Sequence, residues 1–206
     1  MKFLKYFVPF LAGLLSISTA YSQNTVYVIH GYGATVDNHW FKYIKHNLED
    51  SKTSVALISL PDSNNPDLEE WKQTIDSAAK NIDDKTYFVA HSLGCITLLD
   101  YLSKAEFKEA GGLACVAGFS DRLPAFPQVD SYIDSTKIDF TVNSKFKNKM
   151  MFISSNDPAV PPKLSEELAK KLGSNYQTIP NAGHFLDREG YSEFPQLLDW
   201  LKKTIK

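Results

Sequence analysis

Cysteine is scarce in this chain of 206 residues: there are two. Two thiols neither staple a disulfide-rich mini-fold nor supply a four-thiolate zinc site. A charge excess of one sign is also missing. Lys and Arg number 22 against 24 Asp and Glu, a formal net charge of −2, which offers no general electrostatic grip on nucleic acid. Internal repeats, low-complexity tracts and blocks of like charge do not occur. No His, Cys and carboxylate cluster has the spacing of a metal site, so neither a metal nor a cofactor is expected. Apolar residues, by contrast, are plentiful: 43% are hydrophobic and 13% aromatic, too many for a disordered chain. At about 150 residues per domain, the length favours one domain.

No stable membrane span is expected once the first residues are removed, an uncleaved anchor being the alternative. The uncharged, mostly apolar stretch 7–20 holds 14 residues and contains Pro9, too short for a helix to cross a hydrocarbon core of about 30 Å. Lys2 and Lys5 precede it, and Ala20-Tyr21-Ser22 follows it in the small-x-small pattern of a cleavage site. Residues 1–22 therefore read as a signal peptide and 23–206 as a single domain. Cleavage leaves 184 residues with net charge −4. The expected product is an exported protein, periplasmic or secreted, with no stable membrane span and, most simply, monomeric.

Along the rest of the chain, short apolar runs alternate with helical patterns. Strands are expected at 25–30, 54–60, 86–90, 112–117, 150–154 and 176–179. Asp37 looks like the N-cap of a first helix carrying His39, Trp40, Phe41, Ile44, His46 and Leu48, in which both histidines read as solvated or packing residues. Asn65-Pro66 opens a second helix, Leu93–Leu102 forms a third, and Pro162–Leu172 a fourth, closed by Gly173. Ser192–Ile205 is a final amphipathic helix. Such alternation implies an α/β fold with six mainly parallel strands and helices on both faces. Only 120–149 breaks the rhythm, with room for a modest lid and none for a large cap.

Chemistry concentrates where the third strand ends. Ala90-His91-Ser92-Leu93-Gly94 follows an apolar strand and opens a helix, as a nucleophile elbow does, with Ala in place of the first Gly. Small residues two before and two after the serine permit the sharp turn, and the helix N-terminus leaves backbone N–H groups free. A serine hydroxyl needs a base. His184, in Asn181-Ala182-Gly183-His184-Phe185, is the only histidine after Ser92, while His91 adjoins the serine and would point away. An acid must orient the imidazole. Asp157 follows the fifth strand on a loop stiffened by Pro158, Pro161 and Pro162, and Asp121 and Asp187 compete for the role. For an oxyanion, the donors expected are the N–H groups of Leu93 and of Tyr32, in the loop His30-Gly31-Tyr32-Gly33. Gly31, Tyr32, Phe119, Phe126 and Phe185 could line a small acyl pocket. Cys95 and Cys115 read as buried thiols. A disulfide between them is the alternative in an exported protein, but helix and sheet backbones pack about 10 Å apart while a disulfide needs Cα atoms within about 7 Å.

In combination, VYVIHGYG (26–33), Trp40, FVAHSLGC (88–95), Gly118-Phe119, SSNDPAVPP (154–162) and NAGHF (181–185) resemble the α/β-hydrolase superfamily. The closer resemblance is to the small serine hydrolases of the retinoblastoma-binding-protein and YdeN-like type. The resemblance runs over nearly all of the chain after the leader. It implies a compact α/β-hydrolase without a large cap, with nucleophile, acid and base at Ser92, Asp157 and His184. The expected activity is hydrolysis of small acyl esters through an acyl-enzyme. An aminopeptidase or amidase using the same triad, or a non-catalytic binding protein on the same fold, are the alternatives.

Overall fold

The computed structural model describes residues 23–205; the expected signal peptide lies outside the described residues. Twelve regular elements follow one another: β1 (Asn24–Ile29), α1 (Phe41–Leu48), β2 (Thr53–Ile58), α2 (Leu68–Ala78), β3 (Thr86–His91), α3 (Leu93–Lys104), β4 (Ala110–Val116), α4 (Asp130–Ser135), β5 (Phe146–Ser154), α5 (Pro162–Lys171), β6 (Asn175–Ile179) and α6 (Pro195–Thr204). The six strands form one sheet in the order β2-β1-β3-β4-β5-β6, and every pairing is parallel.

Parallel pairing requires helical crossovers, and these bury both faces of the sheet. On one face, Phe41 and Ile44 of α1 and Leu197 and Leu201 of α6 pack with Val26, Val28 and Val89. On the other, Trp71 and Ile75 of α2, Ile96 and Leu99 of α3 and Leu168 of α5 pack with Ile29, Phe88 and Met151. The central strands β3 and β4 are buried along their whole length, which is why they read as unbroken apolar runs. The chain moves outward from β1 to β2 and returns to β3 on β1's other side. The connections that leave the adjacent carboxyl ends of β1 and β3 therefore go to opposite faces, α1 on one and α3 on the other, the place where open α/β sheets bind ligands.

Three local expectations need correction. Asp37 does not cap α1: that helix starts at Phe41 with Trp40 at the cap position, and Asp37 instead pairs with Lys42 at 2.8 Å. A turn in which Asn38 Oδ1 accepts the Thr35 N–H at 2.7 Å takes up the residues between. The second helix starts at Leu68, two residues beyond Pro66, because Asp67 Oδ1 accepts the Glu70 N–H at 2.9 Å. β5 begins at Phe146, earlier than its apolar run, since Lys147 and Asn148 are exposed and carry no apolar signal.

The irregular stretch 120–149 holds α4 and two short 3₁₀ turns. It packs Val129, Tyr132, Ile133 and Val142 against the α2–α3 face. Polar contacts tie it to α3: the Thr97 and Tyr132 hydroxyls lie 2.7 Å apart, and Asp100 Oδ1 accepts the Lys137 N–H at 2.6 Å. Asp100 also lies 2.8 Å from Lys72 Nζ on α2. Burial alone would lower the Lys72 pKa, but Asp100 and Glu69 overcome it and hold it raised.

Candidate active site

β3 ends at His91 and α3 begins at Leu93, so Ser92 makes the whole turn. Its backbone sits at φ 54°, ψ −125°, a sparsely populated region for a residue with a Cβ and a mark of functional sites. The turn is held by the Ser92 N–H, which donates to Val116 O at 2.9 Å. Gly94 can only be glycine: a Cβ there would stand 2.3 Å from His30 O.

The hydroxyl of Ser92 lies 2.9 Å from His184 Nε2, and His184 Nδ1 lies 2.7 Å from Asp157 Oδ2. Asp157 Oδ1 accepts the N–H groups of Ala159 and Val160 at 2.8 and 2.9 Å. The carboxylate is thus fixed by its own proline-rich loop with one oxygen left for the imidazole. Two further bonds clamp the acid loop to the histidine loop. Asn156 Oδ1 accepts the Gly183 N–H at 2.9 Å, and Ser155 Oγ accepts the Asn181 N–H at 3.0 Å. The competing acids lie elsewhere. Asp121 pairs with Lys171 at 3.1 Å, and Asp187 lies beside His39.

His184 is anchored through its main chain. Its N–H donates to Glu189 Oε2 at 2.7 Å, and its carbonyl lies 2.9 Å from His91 Nε2. A carbonyl only accepts, so His91 carries its ring proton on Nε2. Burial, reinforced by His184 and His39, pushes the His91 pKa well below the ordinary histidine value, so it stays neutral. His91 therefore holds the base in place and does not face the serine.

The loop after β1 is set by His30. Its Nδ1 lies 3.0 Å from Gly31 O, and its Nε2 accepts the Leu60 N–H at 3.0 Å. Burial lowers its pKa, which keeps the Nε2 acceptor available. Gly31 backs directly onto the elbow: a Cβ there would meet His91 O at 2.9 Å and Ser92 Cβ at 3.0 Å. Among the described residues, the N–H groups of Tyr32 and Leu93 have no protein acceptor. Two free donors at the carboxyl ends of β1 and β3 are what an oxyanion site requires.

A cavity of about 230 Å³ opens over Ser92. Its apolar lining comes from Leu93, Phe119, Leu123, Phe126 and Val129, the last three belonging to the 120–149 stretch, and Tyr32, His39, His91, His184 and Arg188 also line it. Of the expected pocket residues, Tyr32, Phe119 and Phe126 line this cavity, whereas Gly31 and Phe185 do not. Gly31 lies behind the elbow. Phe185, at φ 57°, is fully buried and stacks on Phe194 at 5.1 Å between ring centroids. Its ring packs in the core while the neighbouring His184 side chain meets Ser92 and Asp157. His39 is not the solvated or packing residue of the first helix that the sequence suggests. It precedes α1, lines the cavity and sits at φ 55°. Cys95 and Cys115 are both free and buried.

Residues 26–203 match the family model described as serine hydrolase. The chain is 32% identical to the YdeN hydrolase of Bacillus subtilis (strain 168) over 177 residues, covering 85% of this chain and 93% of that protein. It is 22% identical to the serine hydrolase RBBP9 of Rattus norvegicus over 178 residues, covering 85% and 91%. The crystal structure of the B. subtilis ydeN gene product superposes with a TM-score of 0.84 at 30% identity, over 88% of this chain and 98% of that one. Est1E of Butyrivibrio proteoclasticus, solved with ferulic acid bound, shares the fold at a TM-score of 0.65 and 15% identity, over 88% and 89%.

Proposed function

The chain belongs to the serine hydrolase family, and from that premise we propose that it is an esterase for small acyl esters, acting through Ser92, His184 and Asp157. The observation that carries this reading is the unbroken line from Ser92 Oγ to His184 Nε2 at 2.9 Å and from His184 Nδ1 to Asp157 Oδ2 at 2.7 Å. It begins at a serine held in strained backbone geometry.

In this mechanism Ser92 Oγ attacks the ester carbonyl carbon while His184 Nε2 takes its proton. The carbonyl oxygen becomes an anion and accepts the N–H groups of Tyr32 and Leu93. The Asp157 carboxylate stabilises the imidazolium. Collapse of the tetrahedral intermediate breaks the bond to the alkoxide, which leaves with the proton from His184. The acyl group is then carried on Ser92. Water attacks that ester with His184 as base, and the acid departs. The apolar lining residues Phe119, Leu123, Phe126 and Val129 suit a short acyl chain. Residues 1–22 have the signal-peptide pattern, which supports action outside the cytoplasm.

The test is a series of 4-nitrophenyl esters of graded acyl length, run beside aminoacyl 4-nitroanilides on wild type and Ser92→Ala. Turnover of the short esters, lost by about 10³-fold or more in Ser92→Ala, is the expected result. Equal turnover by Ser92→Ala, or cleavage of the anilides in preference to the esters, overturns the proposal.

A further inference from the structure

The chain contains two arginines among 22 basic residues. Arg122 is bound by Asp134 within the 120–149 stretch. Arg188 lines the cavity beside Ser92, and it is the only Asp, Glu, Lys or Arg among the lining residues. No carboxylate among the described residues pairs with its guanidinium. Its neighbour Asp187 is turned to other partners. Asp187 Oδ1 accepts the Arg188 backbone N–H at 2.7 Å and lies 3.5 Å from His39 Nδ1.

His39 completes the arrangement. Its Nδ1 accepts the Asp187 N–H at 3.1 Å, so the ring proton resides on Nε2. Burial lowers its pKa more than Asp187 raises it, which keeps the ring neutral with one N–H to donate. The φ of 55° is one that a residue with a side chain adopts only when its surroundings impose it. Arg188 and His39 thus both line the cavity, and Asp187 bonds the main chain of the first and the ring of the second.

Chemistry decides which part of a substrate faces these two side chains. His184 Nε2 must deliver a proton to the departing oxygen, so the alcohol half of the ester leaves along the histidine loop. Arg188 is four residues beyond His184 on that loop. The acyl half is left to the apolar lining residues Phe119, Leu123, Phe126 and Val129. A planar, solvent-exposed guanidinium that pairs with no carboxylate among the described residues matches a substrate carboxylate in two-pronged geometry. Resting on the esterase reading above, we infer that the leaving alcohol carries a carboxylate: the preferred substrates are acyl esters of small hydroxy acids. In them the carboxylate is bound by the Arg188 guanidinium with the His39 Nε2–H beside it. The reaction is balanced by water alone, since R–CO–O–CH₂–COO⁻ and water give the fatty acid and the hydroxy acid.

Butyryloxyacetate and its neutral near-isostere butyryloxyacetamide provide the test, with kcat/KM measured for each on wild type, Arg188→Gln, Arg188→Lys and His39→Asn. The carboxylate-to-amide ratio of kcat/KM removes any general loss of activity or stability in a variant. Wild type is expected to favour the carboxylate ester about tenfold or more, as one charge-assisted pair at a partly solvated site provides. Arg188→Gln should bring the ratio close to one, Arg188→Lys should retain part of it, His39→Asn should lower it, and added salt should weaken it in wild type. A wild-type ratio of one or below, or a ratio unchanged in Arg188→Gln, overturns the inference. If 4-nitrophenyl butyrate is cleaved and neither acetate derivative is, the inference fails while the esterase reading stands. If no ester is cleaved and Ser92 resists acylation, both fail.

Discussion

Glu189 Oε2 accepts the backbone N–H of His184 at 2.7 Å and that of Leu186 at 3.1 Å, so a carboxylate five residues along the chain fixes the base from behind. His91 fixes the same residue from the other side through its carbonyl. The imidazole is therefore placed by its main chain as well as by Asp157.

Removing that anchor should loosen the base without removing it. Hydrogen bonds to a charged group contribute about 1.5–3 kcal/mol, so Glu189→Ala is expected to lower kcat for 4-nitrophenyl butyrate by about tenfold or more. Glu189→Gln keeps an amide oxygen as acceptor and should fall between Ala and wild type. Equal kcat in wild type and Glu189→Ala, with both folded by circular dichroism, would show that the anchor has no bearing on the base.

Three acids competed in the sequence, and they now make different predictions. Asp157 alone reaches His184, so Asp157→Asn should lower kcat by about 10³–10⁴-fold by favouring the wrong imidazole tautomer. Asp121, held by Lys171 and Ser120 on the surface, should be replaceable by Asn with little change in kcat. Asp187→Asn should retain the Ser92 reaction, since its partner is His39. Steady-state rates of the three variants on one ester rank the acids directly.

Three histidines, His30, His39 and His91, have pKa values lowered by burial. In the unfolded chain they titrate near 6.5. Their neutral forms are equally present in both states well above that pH, so they exert no pH dependence there. As pH falls below about 6.5, the unfolded chain takes up protons that the folded chain refuses, and stability declines. Each such histidine contributes up to about 1.4 kcal/mol per pH unit in that window. Urea midpoints at pH 7.5 and 5.5 should show the loss, and His91→Gln should show a smaller difference between the two pH values. An identical difference in His91→Gln and wild type would contradict this.

The sequence made the nucleophile legible because the elbow is local: a strand, a small-residue turn and a helix start lie within ten residues. Asp157 and His184 were legible because each follows a strand in chain order. The residues that hold them were not. Asn156, Glu189 and His30 act through single bonds to backbone groups, and no periodicity marks such contacts. Lys72 and Asp100 carry no sequence mark of burial, yet α3 is buried along Leu93–Leu102 and their pairing at 2.8 Å is buried. Phe185 shows the opposite failure. An aromatic beside the base suggests a pocket wall, but the ring lies in the core next to Phe194. His39 was assigned to a helix that starts two residues later, which hid its place in the cavity.

Ester hydrolysis by this chain requires Ser92 as a nucleophile activated by His184. Treating the intact protein with an alkyl fluorophosphonate and mapping the adduct by peptide mass spectrometry tests that most directly. One phosphonyl group on Ser92 is expected, absent in Ser92→Ala and formed far more slowly in His184→Ala. Wild-type protein that stays unlabelled at Ser92, or is labelled equally fast without His184, would contradict the account.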